Sequence, residues 1–380
     1  MEFQAGSPHL LSMSRAAADR GVAFRGRKKA ITGVKTPVPA PEFRGIVSRL
    51  ICAVIAIFCL VASAAAFAAD SAPHLPELQV QTLAPGVHVL RAPGFEVNAD
   101  NAGFITNIGV IEDARGLVLV GTGTSHRFAQ HLLTSVERHF GRPVVLAVVL
   151  YGGGDHVLGN GVFVARGVPV VAQTETDRFI RASCHSCVER LTAALGENMM
   201  SSTEPAPATL VVERTARLVG LVPGLTRRLT LIHLGHTFQP GASALYDEQS
   251  GTLFAGELGA SGYLPDLYNA LETGWRDALT ELAALGAKRV VPAHGAPGGS
   301  EVLTAPKRYL ESLIAQTGAL FEQGVSLQEA TQSVEVAEFR DWYGYAVWHR
   351  RNVHFAYLHR EQEAFGQRGE AAPGLKEGQH

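Results

Sequence analysis

VVLAVVLYGGGDHVLGNGVF, residues 144–163, is the stretch on which the fold turns. Its first seven residues are uninterrupted and apolar, rich in valine, which reads as a strand buried on both faces. The run stops at Tyr151 and a Gly152-Gly153-Gly154 turn, and the chain then presents Asp155 and His156 together, two residue types that ligate metals. Gly159 and Asn160 close the segment.

Upstream of this stretch, Val87 to Leu90, Phe104 to Glu112 and Gly116 to Gly121 read as strands around turns. Thr122 to Ser125 open an amphipathic helix, His126 to Phe140, that ends before Gly141-Arg142-Pro143. After the Asp-His loop, Val168 to Ala172 reads as a strand, residues 174–200 as helical, and 201–208 as a loop. Further strands are predicted at Leu210 to Glu213, Leu229 to His233, Ser243 to Asp247 and Gly251 to Glu257. A helix from Trp275 to Leu285 feeds a strand, Lys288 to Pro292, and from Glu301 the chain is helical, with a capping box at Ser326 to Glu329. Strands alternating with helices after opening hairpins predict two sheets with helices outside. Trp342, Tyr345, Trp348 and Phe355 fall near helical spacing and read as packing of the C-terminal helices rather than a ligand-stacking surface.

The chain has 380 residues, 46% of them hydrophobic, enough to bury one large core or two modest ones. Residues 1–69 carry nine Lys or Arg against three acids, a net charge of +6, which leaves −8 for the rest. An acidic body without a basic stripe argues against nucleic-acid binding. Residues 1–43 read as a disordered leader and residues 44–69 as a signal peptide. Arg44 and Arg49 precede twenty uncharged residues, Leu50 to Ala69, that end in the small-residue pattern Ala66-Phe67-Ala68. A single membrane anchor is the alternative, but the alanine-rich end fits a peptidase site better than a span. The expected location is therefore periplasmic or secreted, with no membrane span left after cleavage.

Cys52 and Cys59 fall in that apolar segment, which leaves Cys184-His185-Ser186-Cys187. A C-x-x-C pair serves as a disulfide, half a zinc site or a redox motif. A second C-x-x-C is missing and valine follows Cys187, so a local structural disulfide is the expectation. A thiol role would need the pair to lie near the functional cleft.

Each of four apolar runs ends on possible metal ligands: Asp155 with His156, His236 in Leu234-Gly235-His236-Thr237, Glu257 after Gly256, and His294 in Pro292-Ala293-His294-Gly295. In order and spacing these resemble the metallo-β-lactamase superfamily over about residues 80–300. Ser243 to Asp247, Gly262-Tyr263-Leu264-Pro265-Asp266, Gly274-Trp275, Arg289 to Gly295 and Asn352 to Leu358 resemble one exported branch of it, the quinoprotein relay system zinc metallohydrolases.

The resemblance implies an αββα sandwich over 77–300 with a C-terminal helical region, 301–380. It also implies a hydrolase that activates water on zinc. Against the family's HxHxDH loop, Tyr151 and Gly153 replace the first two histidines, so the first zinc site keeps only His236. The second keeps Asp155, His156 and His294, which with one water is the coordination of a catalytic zinc. Glu257 stands at the bridging position, able to reach the ion or act as general base, alongside Asp155. Tyr151 is expected at the mouth of the site, donating a hydrogen bond to substrate. Gly121 stands where the family carries a supporting aspartate.

The function implied is therefore hydrolysis of an ester, lactone, thioester or amide with at most one zinc. The alternative is a non-catalytic binding or accessory protein of a periplasmic quinone-cofactor dehydrogenase system.

Overall fold

The computed structural model describes residues 73–370. The leader, the signal peptide, Cys52 and Cys59 all lie outside that range.

A seven-stranded sheet comes first. Strands β1 (Val80–Ala84), β2 (Val87–Leu90), β3 (Ile108–Asp113) and β4 (Gly116–Val120) pair antiparallel in sequence order. Strands β5 (Val144–Val148), β6 (Val170–Gln173) and β7 (Leu210–Val212) then extend the sheet in parallel. The crossovers carry α1 (His126–Phe140), the short helices α2 (Gly154–Val157) and α3 (Asn160–Ala165), and α4 (Thr174–Leu195) with α5 (Glu197–Met200). Helix α1 begins where Ser125 accepts the backbone N–H of Phe128 and ends at Gly141, which is left-handed (φ 63°).

The second sheet has five strands in the order β12-β11-β10-β9-β8. These are β8 (Ala216–Arg217), β9 (Leu229–His233), β10 (Ser243–Asp247), β11 (Thr252–Gly256) and, after α6 (Glu272–Ala284), β12 (Arg289–Pro292), which lies parallel to β11. Helices α7 (Glu301–Glu322), α8 (Leu327–Ser333) and α9 (Tyr345–Glu370) follow, α8 carrying the predicted capping box. Among the described residues, no helix is long and apolar enough to cross a membrane.

Alternation along the strands builds four layers, because successive side chains face opposite sides of a sheet. Leu117 and Leu119 pack outward with Phe128 and Leu132 of α1, while Val118 and Val120 pack inward with Leu231, Leu245 and Phe254 of the second sheet. From the second sheet Leu253, Ala255 and Val290 face the far side, against Trp275, Leu279, Leu310 and Val353 of the helices. The result is the expected αββα sandwich with C-terminal helices. Trp342, Tyr345, Trp348 and Phe355 pack on that last core, as their spacing predicted.

Candidate metal centre

The parallel strands of both sheets deliver the site. Past β5 the chain runs through Tyr151 and Gly153 into α2, whose first turn holds Asp155. Its Oδ2 accepts hydrogen bonds from the Thr106 hydroxyl and from Tyr151 Oη, the latter at 3.2 Å. Glu257 follows β11, and His294 follows β12. The Ala293 N–H donates to the Gly256 carbonyl at 2.7 Å, so the backbones leading to Glu257 and His294 are tied together.

The carboxylates of Asp155 and Glu257 and the imidazole of His294 converge, each offering an atom within 4.8 Å of the others. His294 Nδ1 donates to the Ile105 carbonyl at 2.8 Å, which turns Nε2 toward the carboxylates, 2.8 Å from Glu257 Oε1 and 3.9 Å from Asp155 Oδ2. A histidine ligand held by a backbone carbonyl on its far nitrogen is the usual outer support of a metal site. The trio lines a cavity of about 340 Å³ together with Ile105, Tyr263, Cys187 and Arg190. Tyr263 stacks on the His294 ring, 4.1 Å between centroids.

Two carboxylates facing one imidazole need a positive charge among them. His294 supplies it by holding its proton up to about 9. Burial works against that charge, but the charge of Glu257 and the hydrogen bond to it, the charge of Asp155 and the Ile105 carbonyl outweigh burial. A divalent cation would take over this role. One imidazole nitrogen and two carboxylate oxygens, backed by hydrogen bonds to His294 and Asp155 and open to a cavity, fit the three protein ligands and open position of a catalytic zinc.

In metal-free protein the His294 ring is expected to titrate near 9 in an NMR pH series. The Glu257→Gln variant should lower that midpoint by at least about one unit. Because the folded pKa lies above the ordinary 6.5, His294 adds stability that is fully present below pH 6.5 and lost as the pH rises through 9. A parent midpoint at or below 6.5 would contradict the charge balance described.

Three expected positions differ. His156 is not among the converging groups: its Nε2 accepts the Leu150 N–H at 3.0 Å, and its Nδ1 is buried without a partner. Its ring lies flat against Tyr151, 4.3 Å between centroids, and burial pushes its pKa down to about 4. Sequence spacing places His156 beside Asp155, but a one-residue step on a helix turns neighbouring side chains about 100° apart. His236 is exposed, its Nε2 bonded to the Asn269 carbonyl at 2.9 Å. Tyr151 is not at the mouth: it is 1% exposed, its hydroxyl spent on Asp155 and its far side edge-on to Phe238.

Several residues of the site escaped sequence reasoning. Asn107 Nδ2 donates to the carbonyls of Pro292 (2.9 Å) and Gly295 (2.8 Å), and its N–H to that of Ala293 (2.7 Å), pinning the His294 loop to the first sheet. The signal was the polar Thr106-Asn107 pair inside an otherwise apolar run. Cys184 and Cys187 are free thiols, so the expected disulfide is not formed, and Cys187 lines the cavity.

Residues 101–294 match the Metallo-beta-lactamase superfamily, about half of the chain. The protein belongs to that superfamily. Among solved structures, a metallo-β-lactamase from Pontibacter korlensis superposes with a TM-score of 0.50 at 19% identity, over 62% of this chain and 99% of that one. One from Hirschia baltica gives 0.47 at 19% identity, over 62% and 98%. One from Pseudomonas aeruginosa, described as a mono-zinc form, gives 0.49 at 16% identity, over 63% and 98%. No curated protein shows significant similarity to the chain.

Proposed function

We propose that the protein is an exported hydrolase that holds at most one zinc ion on Asp155, Glu257 and His294 and cleaves a small-molecule ester, lactone, thioester or amide. The observation that carries this reading is the convergence of one imidazole and two carboxylates from both sheets on a single cavity. Bound there, zinc would supply a Lewis acid and make water nucleophilic at neutral pH.

The chain's own residues set the rest. Ile105 fixes the His294 ring, and Thr106 and Tyr151 hold the Asp155 carboxylate in place. Glu257, one methylene longer than aspartate, can accept a proton from the attacking water as general base. Tyr263, rather than the buried Tyr151, takes the donor role: it lines the cavity, and burial with the nearby charges of Glu257 and Asp155 keeps its phenol protonated. The Arg-flanked apolar segment 50–69 supports export to the periplasm or beyond. Segments such as Ser243–Asp247 and Gly262–Asp266 support a quinoprotein system as the setting.

Metal content by mass spectrometry on protein purified without added zinc tests this reading. About one equivalent per chain in the parent, none in Asp155→Ala, and carbonyl-ester or lactam hydrolysis only in the loaded parent are the expected results. Absence of metal from both would overturn the hydrolase in favour of the accessory protein.

A further inference from the structure

The pocket wall contains a second chemistry that the hydrolytic reading leaves unused. Cys184 and Cys187 sit one turn apart on α4, where side chains three residues apart share a face. Their sulfurs are 3.3 Å apart, and both thiols are free. Their surroundings differ. Cys184 is fully buried and its thiol donates to the Gly152 carbonyl at 3.1 Å, whereas Cys187, 3% exposed, lines the cavity beside Asp155, Glu257 and His294. The Arg190 guanidinium, also lining the cavity, lies 3.5 Å from the Cys187 sulfur.

Buried cysteines mostly act as small apolar residues, and both of these do pack in the core beneath the first sheet. A purely structural role accounts for Cys184. It does not account for a cysteine that lines a cavity with a cation against its sulfur and a second thiol in contact with it, the arrangement that activates a cysteine.

We propose that Cys184 and Cys187 form a reversible dithiol–disulfide couple in the wall of the cavity, with Cys187 the thiol that low-molecular-weight disulfides reach and Cys184 the one that resolves the adduct. In the first step the Cys187 sulfur attacks one sulfur of a disulfide R–S–S–R. That S–S bond breaks and the first R–S group leaves with the Cys187 proton as a thiol. In the second step the Cys184 sulfur attacks Cys187, the mixed disulfide breaks, and the second R–S group leaves with the Cys184 proton. The protein loses two electrons and two protons, and the small disulfide becomes two thiols. Closing the pair brings the sulfurs from 3.3 Å to about 2.05 Å.

Contact with the Cys184 thiol and the charge of Arg190 lower the Cys187 thiol against the opposing effect of burial, while contact with Cys187 and burial hold the Cys184 thiol up, which matches attacking and resolving roles. Oxidation also removes the Cys184 hydrogen bond to Gly152, three residues before Asp155. It thereby reaches the loop that carries a proposed metal ligand. The couple itself does not depend on the metal reading, since its readout is thiol content.

The test is to incubate the reduced full chain with oxidised glutathione, then alkylate it and map the peptide bearing both cysteines by mass spectrometry. The parent should lose both thiols without keeping an adduct. Cys184→Ser, whose hydroxyl can still donate to Gly152, should retain one glutathione at Cys187, and Cys187→Ser should react at least about tenfold more slowly. Thermal melts of each variant establish that it is folded. A folded Cys184→Ser protein that keeps no glutathione, or parent thiols that react only after denaturation, would overturn the proposal.

Discussion

Glu257→Gln is expected to lower metal affinity by about 100-fold or more, while His156→Phe keeps about one equivalent of metal per chain. Removing an outer support of a metal ligand alone costs about 10–100-fold. Glu257 lies closer in, 2.8 Å from His294 Nε2 and within the converging trio, so its loss exceeds that range. His156 gives the opposite result because its ring faces away, taking the Leu150 N–H and stacking on Tyr151. Phenylalanine preserves the stack but leaves that buried N–H unpaired, at a stability cost of about 1–3 kcal/mol. Metal titration beside a denaturant melt separates the two effects. The reverse order, with Glu257→Gln loaded and His156→Phe empty, would show that the ring turns into the site when metal arrives and that the motif's ligand set holds after all.

Gly121→Asp, which places at this position the aspartate that the resemblance implies, is expected to destabilise the protein rather than strengthen its metal site. Gly121 has a φ of +98°, a backbone conformation side-chain-bearing residues seldom adopt. Holding another residue there costs about 1–3 kcal/mol. A Cβ at this position would also stand 2.9 Å from Cε1 and Nδ1 of the His156 ring, which occupies the space beside Gly121. Overpacking adds about 1–3 kcal/mol. Gly121→Ala should show most of the same loss, since strain and contact begin at Cβ. A variant as stable as the parent with tighter metal binding would mean that the His156 ring readily gives way. The two positions are thus linked: glycine at 121 and the withdrawn imidazole accommodate each other.

Much of the fold was legible because its signals are local. Helix α1 was predicted with its observed bounds, since Ser125 and Gly141 punctuate a strongly amphipathic run. Strands β9 and β10 were likewise predicted end to end, their apolar residues being short runs between turns. Strand β1 was missed because only one of its five residues, Ala84, is buried, so it carries little apolar signal. The short helices α2 and α3 follow a triple-glycine turn that reads as loop.

The backbone segments that end at the site are legible locally, because a buried strand must shed its apolar character where it leaves the core, and Asp155, Glu257 and His294 stand at those exits. Which side chains point into the cavity is not a local property. That choice rests on contacts distant along the chain: Ile105 aims His294, 189 residues away, while Thr106 holds Asp155, 49 residues away. The same is true of Cys187, which helix α4 brings to the cavity wall. A side chain's direction is set by the partner that satisfies its polar atoms, and for His156 that partner is the Leu150 N–H rather than a metal.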